Sequence, residues 1–283
     1  GEDDDLKLVG PESLIESEKK PSESEIAVMY AEGEIDGRSS DGIDTEDYAK
    51  EILELAEDDK VKALVLRVNS PGGSAFGSEQ MWEALEQFKA KGKPFVVSMG
   101  DVAASGGYYI SCGANRIFAE PTTITGSIGI FGTIPNLHKL ATEKLGVNIS
   151  VVKTNENSNM LRSLFDKPLT PQQRAAMQKY VNAGYELFTS RCAAGRGMSQ
   201  DSIKAIAEGR VWDGKSALEI GLVDEFGGVE AAIQWAASKA GLEGDYTVGS
   251  YPKPKSRFDK LMEEFSNYGV EAKMREKFGI LYD

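Results

Sequence analysis

An α/β fold built on a largely parallel sheet is the class this sequence predicts, and three observations carry the prediction. Short apolar runs recur, each leading through a glycine-rich turn into a helical pattern. The runs are close to continuously apolar instead of alternating, as strands are when both faces are covered. Helix-capping residues stand where the helical patterns begin.

The elements follow in order. Ile26 to Ala31 (IAVMYA) reads as a short buried strand, and the Gly-, Asp- and Ser-rich stretch 33–44 as a loop. Thr45 is expected to cap a helix through Glu57, with Glu46 and Asp47 at its positive end. Val61 to Val68 (VKALVLRV) is a second strand, followed by Asn69-Ser70-Pro71-Gly72-Gly73-Ser74 and an amphipathic helix to Ala90. Pro94 to Met99 (PFVVSM) is a third strand, with a helix starting near Ala104, and Arg116 to Ala119 a fourth. Val147 to Lys153 reads as a further strand. Thr170, Pro171 and Gln173 occupy the N-cap, N1 and N3 positions of a long helix to about Arg191. A helix begins at Met198-Ser199, and another spans Val229 to Ala240.

Composition divides the chain into three. Residues 1–24, rich in Glu, Asp, Ser, Lys and Pro, are expected to be a flexible acidic linker. Residues 25–240 form the folded domain. Residues 241–283 are expected to be an arm, helical over 256–278, that packs on a partner. The formal net charge of −13 argues against nucleic acid and against anionic membrane surfaces as partners. Cys112 and Cys192 lack metal-type spacing and read as two buried thiols. No apolar run reaches the roughly 18 residues of a membrane span. The opening Gly1-Glu2-Asp3-Asp4-Asp5 reads as a boundary inside a longer protein, which would carry any anchor or export signal.

The most informative feature for chemistry is a shortage. The only histidine is His138, on a helical pattern where a packing or surface role is the ordinary reading. A Ser–His–Asp enzyme would depend on it, and a histidine-ligated metal would have one ligand; no metal or cofactor is expected. Serine chemistry here needs another base, and lysine is the known substitute. Ser105, in Gly100-Asp101-Val102-Ala103-Ala104-Ser105-Gly106-Gly107-Tyr108-Tyr109, follows a strand, opens a helix and has small neighbours. A substrate backbone can approach it, and the helix start offers free N–H groups to an oxyanion. The Pro71-Gly72-Gly73 turn can aim further N–H groups outward. Thr125-Gly126-Ser127-Ile128-Gly129-Ile130-Phe131-Gly132 is apolar and glycine-spaced, fit to line an extended-peptide groove or to form a tight loop.

These three motifs, in this order, resemble the signal peptide peptidase A (protease IV) family. Gly209-Arg210-Val211-Trp212, Ala217 and Gly221-Leu222-Val223-Asp224 match its downstream pattern, so that the resemblance spans residues 25–240. It is closest to the C-terminal, serine-bearing half of the long two-repeat form. The resemblance implies a Clp-protease/crotonase-like fold, a serine–lysine dyad, a place on the extracytoplasmic side of the bacterial cell membrane, and ring-like homo-oligomers, a tetramer among them. It makes Ser105 the nucleophile and places Gly72, Gly73 and Gly106 at the oxyanion hole. Ser127 matches the serine that orients the lysine, and Ser74, Phe76, Ile130 and Phe131 would line substrate pockets. The implied substrates are apolar peptides such as released signal peptides.

The match breaks at the base. Counting back from Thr170-Pro171, the family's lysine position falls at Ser158, and the nearest lysines are Lys153 and Lys167. The expectation is therefore that the N-terminal half of the same protein supplies the lysine. Two other readings compete: a catalytically incomplete scaffold, favoured by the absent lysine, and a crotonase-type acyl-CoA enzyme. The latter would need an acidic base and a phosphate-binding basic patch, and neither stands out.

Overall fold

Eight strands form one sheet in the computed structural model, which describes residues 22–37, 42–155, 157–158, 164–165, 167–242 and 244–253. The strands are β1 (Glu25–Glu32), β2 (Val61–Ser70), β3 (Phe95–Ala104), β4 (Arg116–Ala119), β5 (Ile124–Gly126), β6 (Val211–Asp213), β7 (Glu225–Phe226) and β8 (Thr247–Tyr251). They run in the order β6-β5-β3-β2-β1-β8, and β4 lies between β3 and β7. Every pairing is parallel except β5 with β6. Helices α1 (Thr45–Glu57), α2 (Ala75–Ala90), α3 (Gly106–Tyr109), α4 (Pro171–Arg196), α5 (Gln200–Ile206), α6 (Gly214–Glu219) and α7 (Val229–Lys239) connect them.

The expected α/β class is what forms, because the strand residues are covered on both faces. Met29, Leu64, Leu66 and Val97 point into the larger core with Met81 and Phe88 of α2 and Phe188 of α4. Ile26, Val28, Val65 and Val96 meet Ala232 and Ala236 of α7 on the other face. This two-sided burial is the reason that β2 reads as an unbroken apolar run.

The register between β2 and β3 shifts where the site is built. Val68 pairs with Met99, but Ser70 pairs with Ala103, so β3 carries extra residues there. Such a bulge leaves backbone groups to be satisfied otherwise. The Asn69 side chain takes the Val102 N–H (3.2 Å), while the hydroxyls of Thr123 and Thr125 donate to the carbonyls of Gly100 and Ala103 (both 2.8 Å). β3 consequently runs on to Ala104, beyond the expected end at Met99, and delivers Ser105 to the head of α3.

Three local expectations change. Asp44, not Thr45, caps α1, its carboxylate accepting the N–H groups of Glu46 and Asp47. Thr45 is buried with its hydroxyl donated to Asp36, which leaves it unable to cap. Residues 147–153 form no strand, and among the described residues no neighbouring strand pairs with them. A β-branched run makes a ladder only against a partner. Beyond Gly241 the sheet continues, with β8 lying against β1 and the Ser24 carbonyl accepting the Thr247 N–H at 2.9 Å. Residues 1–21 of the expected linker and the helical arm over 256–278 lie outside the described residues. The Thr170 capping box forms as expected, and α4 continues past Arg191 to Arg196, where Gly197 closes it in the left-handed region.

Candidate active site

Ser105 sits at the junction of β3 and α3 with φ 53° and ψ −118°, a conformation that L-residues rarely adopt. Holding it costs about 1–3 kcal/mol, which the surroundings must supply. Its N–H donates to the Gly126 carbonyl (2.9 Å) and its carbonyl accepts from Tyr109 (2.9 Å). The side chain makes no capping bond to α3, and the residue is partly exposed at the helix start.

The Pro71-Gly72-Gly73 turn is pressed against this serine. Gly72 (φ 100°) has no room for a side chain: a Cβ there would fall 2.6 Å from the Gly106 nitrogen and 2.8 Å from the Ser105 Cβ. The Gly72 N–H turns away and donates to the Ser70 hydroxyl at 3.1 Å, so Gly72 does not offer the oxyanion donor that the sequence suggested. The neighbouring Gly73 N–H takes no part in the bridge that this turn makes with Ile35, and it has no acceptor among the described residues. Gly106 opens α3, so its N–H has no partner within the helix. Two donors, Gly73 and Gly106, thus flank the serine.

Ser127 lies beside Ser105 across the β3–β5 ladder, and it too has positive φ, at 50°. The Gly209-Arg210-Val211-Trp212 motif holds it there. The Arg210 carbonyl accepts the Ser127 N–H (2.8 Å), the Gly209 N–H donates to Ile128 (2.9 Å), and Trp212 packs where Gly126 lacks a Cβ.

Ser105, Gly73 and Gly106 share a pocket of about 110 Å³ with Ala75, Ser78, Tyr109, Gly129, Ile130, Phe131 and Phe188. Of the expected lining residues, Ile130 and Phe131 border it; Ser74 and Phe76 do not, Ser74 capping α2 and Phe76 being 71% exposed. Tyr109 and Phe188, which sequence reasoning missed, stack with ring centroids 4.4 Å apart. Tyr109 could have been found one turn after Ser105 on α3; Phe188 arrives from a distant helix and left no local signal. The Tyr109 hydroxyl bonds Glu79, which pairs with Arg191 at 2.5 Å, and Arg191 lies over the Trp82 ring. Burial and the Glu79 hydrogen bond push the Tyr109 phenol far above its ordinary range, so it remains a donor.

Among the described residues no lysine, histidine or carboxylate lines the pocket. Lys153 and Lys167 are both exposed. His138 sits apart from the pocket, its Nδ1 on the Phe165 carbonyl at 2.8 Å. Both cysteines are buried free thiols, and burial pushes that of Cys192 up. Among the described residues no cluster of His, Cys, Asp and Glu has the makings of a metal site, and no helix is long and apolar enough to cross a membrane.

Fold and site define a Clp-protease-like hydrolase domain with a serine at its centre. Residues 24–125 match the Clp protease model, and residues 87–243 match that of peptidase family S49. The chain belongs to peptidase family S49, a protease family that a serine-type site fits. It is 40% identical to Protease 4 of Salmonella typhi over 253 residues, which is 89% of this chain and 40% of that relative. It is 37% identical to the chloroplastic serine protease SPPA of Arabidopsis thaliana, covering 77% of this chain and 33% of that one. It is 34% identical to a putative signal peptide peptidase SppA of Enterococcus faecium, over 82% of this chain and 66% of the relative. The chain therefore spans well under half of two of these relatives and about two thirds of the shorter one.

Proposed function

We propose that this chain is the nucleophile-bearing part of a serine endopeptidase, with Ser105 as nucleophile and its general base supplied from outside the chain. One observation carries the reading: a partly exposed serine in a strained conformation, flanked by two N–H groups that have no acceptor among the described residues, in a pocket that no described basic side chain lines. A serine hydroxyl without a base is a weak nucleophile near neutral pH. A neutral lysine amine from the N-terminal half of a longer protein would take the Ser105 proton as Oγ bonds to the scissile carbonyl carbon. The Gly73 and Gly106 N–H groups would face the developing oxyanion. Collapse breaks the C–N bond, and the ammonium returns its proton to the leaving amine. Water then cleaves the Ser105 ester by the same proton route. Ser127, next to Ser105 across the β3–β5 ladder, would orient the lysine.

The apolar rim of Ile130 and Phe131 favours apolar peptides, and released signal peptides fit that chemistry. The name of the Enterococcus faecium relative points to the same substrate class. Residues 145–152 expose Leu145, Val147 and Val152, a surface suited to a second domain of the same kind in the N-terminal half or to further copies in a homo-oligomer. A place on the extracytoplasmic side of a bacterial cell membrane, anchored by a segment outside this sequence, completes the proposal. The scaffold reading is the rival, and the absent base is its support. Hydrolysis of an apolar fluorogenic peptide separates them. The full-length protein should cleave, while its Ser105→Ala variant and this chain alone should not. Cleavage that survives Ser105→Ala would remove Ser105 from the mechanism, and an inert full-length protein would favour the scaffold.

A further inference from the structure

Ile35 touches both oxyanion donors, although it lies on the loop between β1 and α1, far along the chain from Ser105. Its N–H donates to the Gly72 carbonyl and its carbonyl accepts from Ser74, both at 2.9 Å. The two peptide units that flank the Gly73 Cα, one of which carries the Gly73 N–H, are thereby tied to one residue. A Cβ on Gly73 would overlap the Ile35 carbonyl oxygen, so the two backbones lie in close contact. The side chain reaches the second donor as well: Ile35 Cδ1 is 3.0 Å from where a Cβ on Gly106 would stand. Ile35 is fully buried.

The next residue anchors it. Asp36 has φ 48°, in the left-handed region. Its carboxylate accepts the Thr45 N–H (3.0 Å) and the Thr45 hydroxyl (2.9 Å) in the first turn of α1. The other carboxylate oxygen fills the space left by the missing Cβ of Gly77, in the first turn of α2. One negative group thus sits at the positive ends of two helices, where it is favoured. The Asp36 N–H donates to Ile43 (2.8 Å), and the Ile43 N–H to Glu34 (2.9 Å), closing the loop around it.

We propose that Ile35 and Asp36 form a positioning element that sets the distance and direction of the Gly73 and Gly106 N–H groups, with the Asp36 carboxylate as its anchor. The inference rests on reading the Ser105 site as a hydrolase. Oxyanion donors act only when they stand about 2.7–3.1 Å from the oxygen that becomes charged, and losing one costs roughly a hundred- to thousand-fold. Loosening Ile35 should displace both at once without removing either, and without touching the pocket walls that bind the ground-state peptide.

The test compares Asp36→Ala, Asp36→Asn and Ile35→Val in the full-length protein. It measures kcat and KM for an apolar peptide, the affinity for a peptide aldehyde that forms a tetrahedral adduct on the serine, and the thermal midpoint. Asp36→Ala should lower kcat and aldehyde affinity together, by about ten- to a hundred-fold, with KM within about twofold. Asp36→Asn, whose amide oxygen still accepts the Thr45 N–H and which tolerates positive φ, should recover most of both. Ile35→Val keeps the backbone bridge and removes Cδ1; it should lower kcat and aldehyde affinity several-fold at constant KM. Unchanged kcat and aldehyde affinity in Asp36→Ala or Ile35→Val would overturn the proposal. So would losses that track the thermal midpoint and are not restored by Asp36→Asn. Ser105→Ala is run alongside: if it still cleaves, the hydrolase reading falls, whereas a dead Ser105→Ala with a normal Asp36→Ala sinks only the positioning element.

Discussion

The two sides of the Ser105 pocket are built differently. On the donor side, residues 33–37, 69–78 and 95–109 are bound to one another through backbone bridges, a side-chain-filled bulge and glycines that admit no Cβ. On the other side stand Ile130 and Phe131, at the start of a stretch to residue 155 that carries no strand and in which Phe131 and Val152 are 88% and 99% exposed. The closed side holds Ser105 and the Gly73 and Gly106 N–H groups, the parts that the proposed mechanism needs to stand still. Under the proposed function, the open side is where a base and a groove wall would be supplied. This contrast is what the proposal of a nucleophile here and a base supplied from elsewhere would require.

Breaking the closed side should have the largest effect. Gly72→Ala drives a methyl into Gly106 and Ser105, and activity of the full-length protein should fall at least as far as on losing one oxyanion donor, roughly a hundred- to thousand-fold. Steady-state kinetics beside a thermal melt would check it. Phe188→Ala, where α4 enters the core, should cost about 3–5 kcal/mol by cavity formation, read as a lower denaturant midpoint. Ser127→Ala should reduce kcat by about tenfold or more if its hydroxyl orients the base, with stability little changed; an unaffected kcat would remove Ser127 from the site. On the open side, Val152→Asp should alter the stability of this chain alone by less than about 0.5 kcal/mol. The same change should weaken assembly of the full-length protein by sedimentation, and unaltered assembly would mean that no partner covers this exposed segment.

The sheet was legible in the sequence wherever burial alone decides structure, as in the apolar runs of β1, β2 and β3. The Thr170-Pro171-Gln173 start of α4 was legible because capping is local chemistry. Other features were not, because they depend on which partner a residue finds outside its own element. Thr45 carries a capping side chain, but Asp36 claims its hydroxyl. Residues 147–153 have strand composition without a strand to pair with, whereas Thr247–Tyr251, less obviously strand-like, finds the edge of β1. At the site, Ser105 and the glycine turn stood out as motifs. Which glycine points its N–H outward depended on the Ser70 hydroxyl, and the Tyr109–Phe188 stack depended on the path of α4.

The most direct measurement is the rate at which a fluorophosphonate labels Ser105, located by mass spectrometry, in this chain alone and in the full-length protein. The account predicts labelling confined to Ser105, fast in the full-length protein and slow in the isolated chain. Equally fast labelling of the isolated chain would mean that the base lies within it, and would contradict the division of the site proposed above.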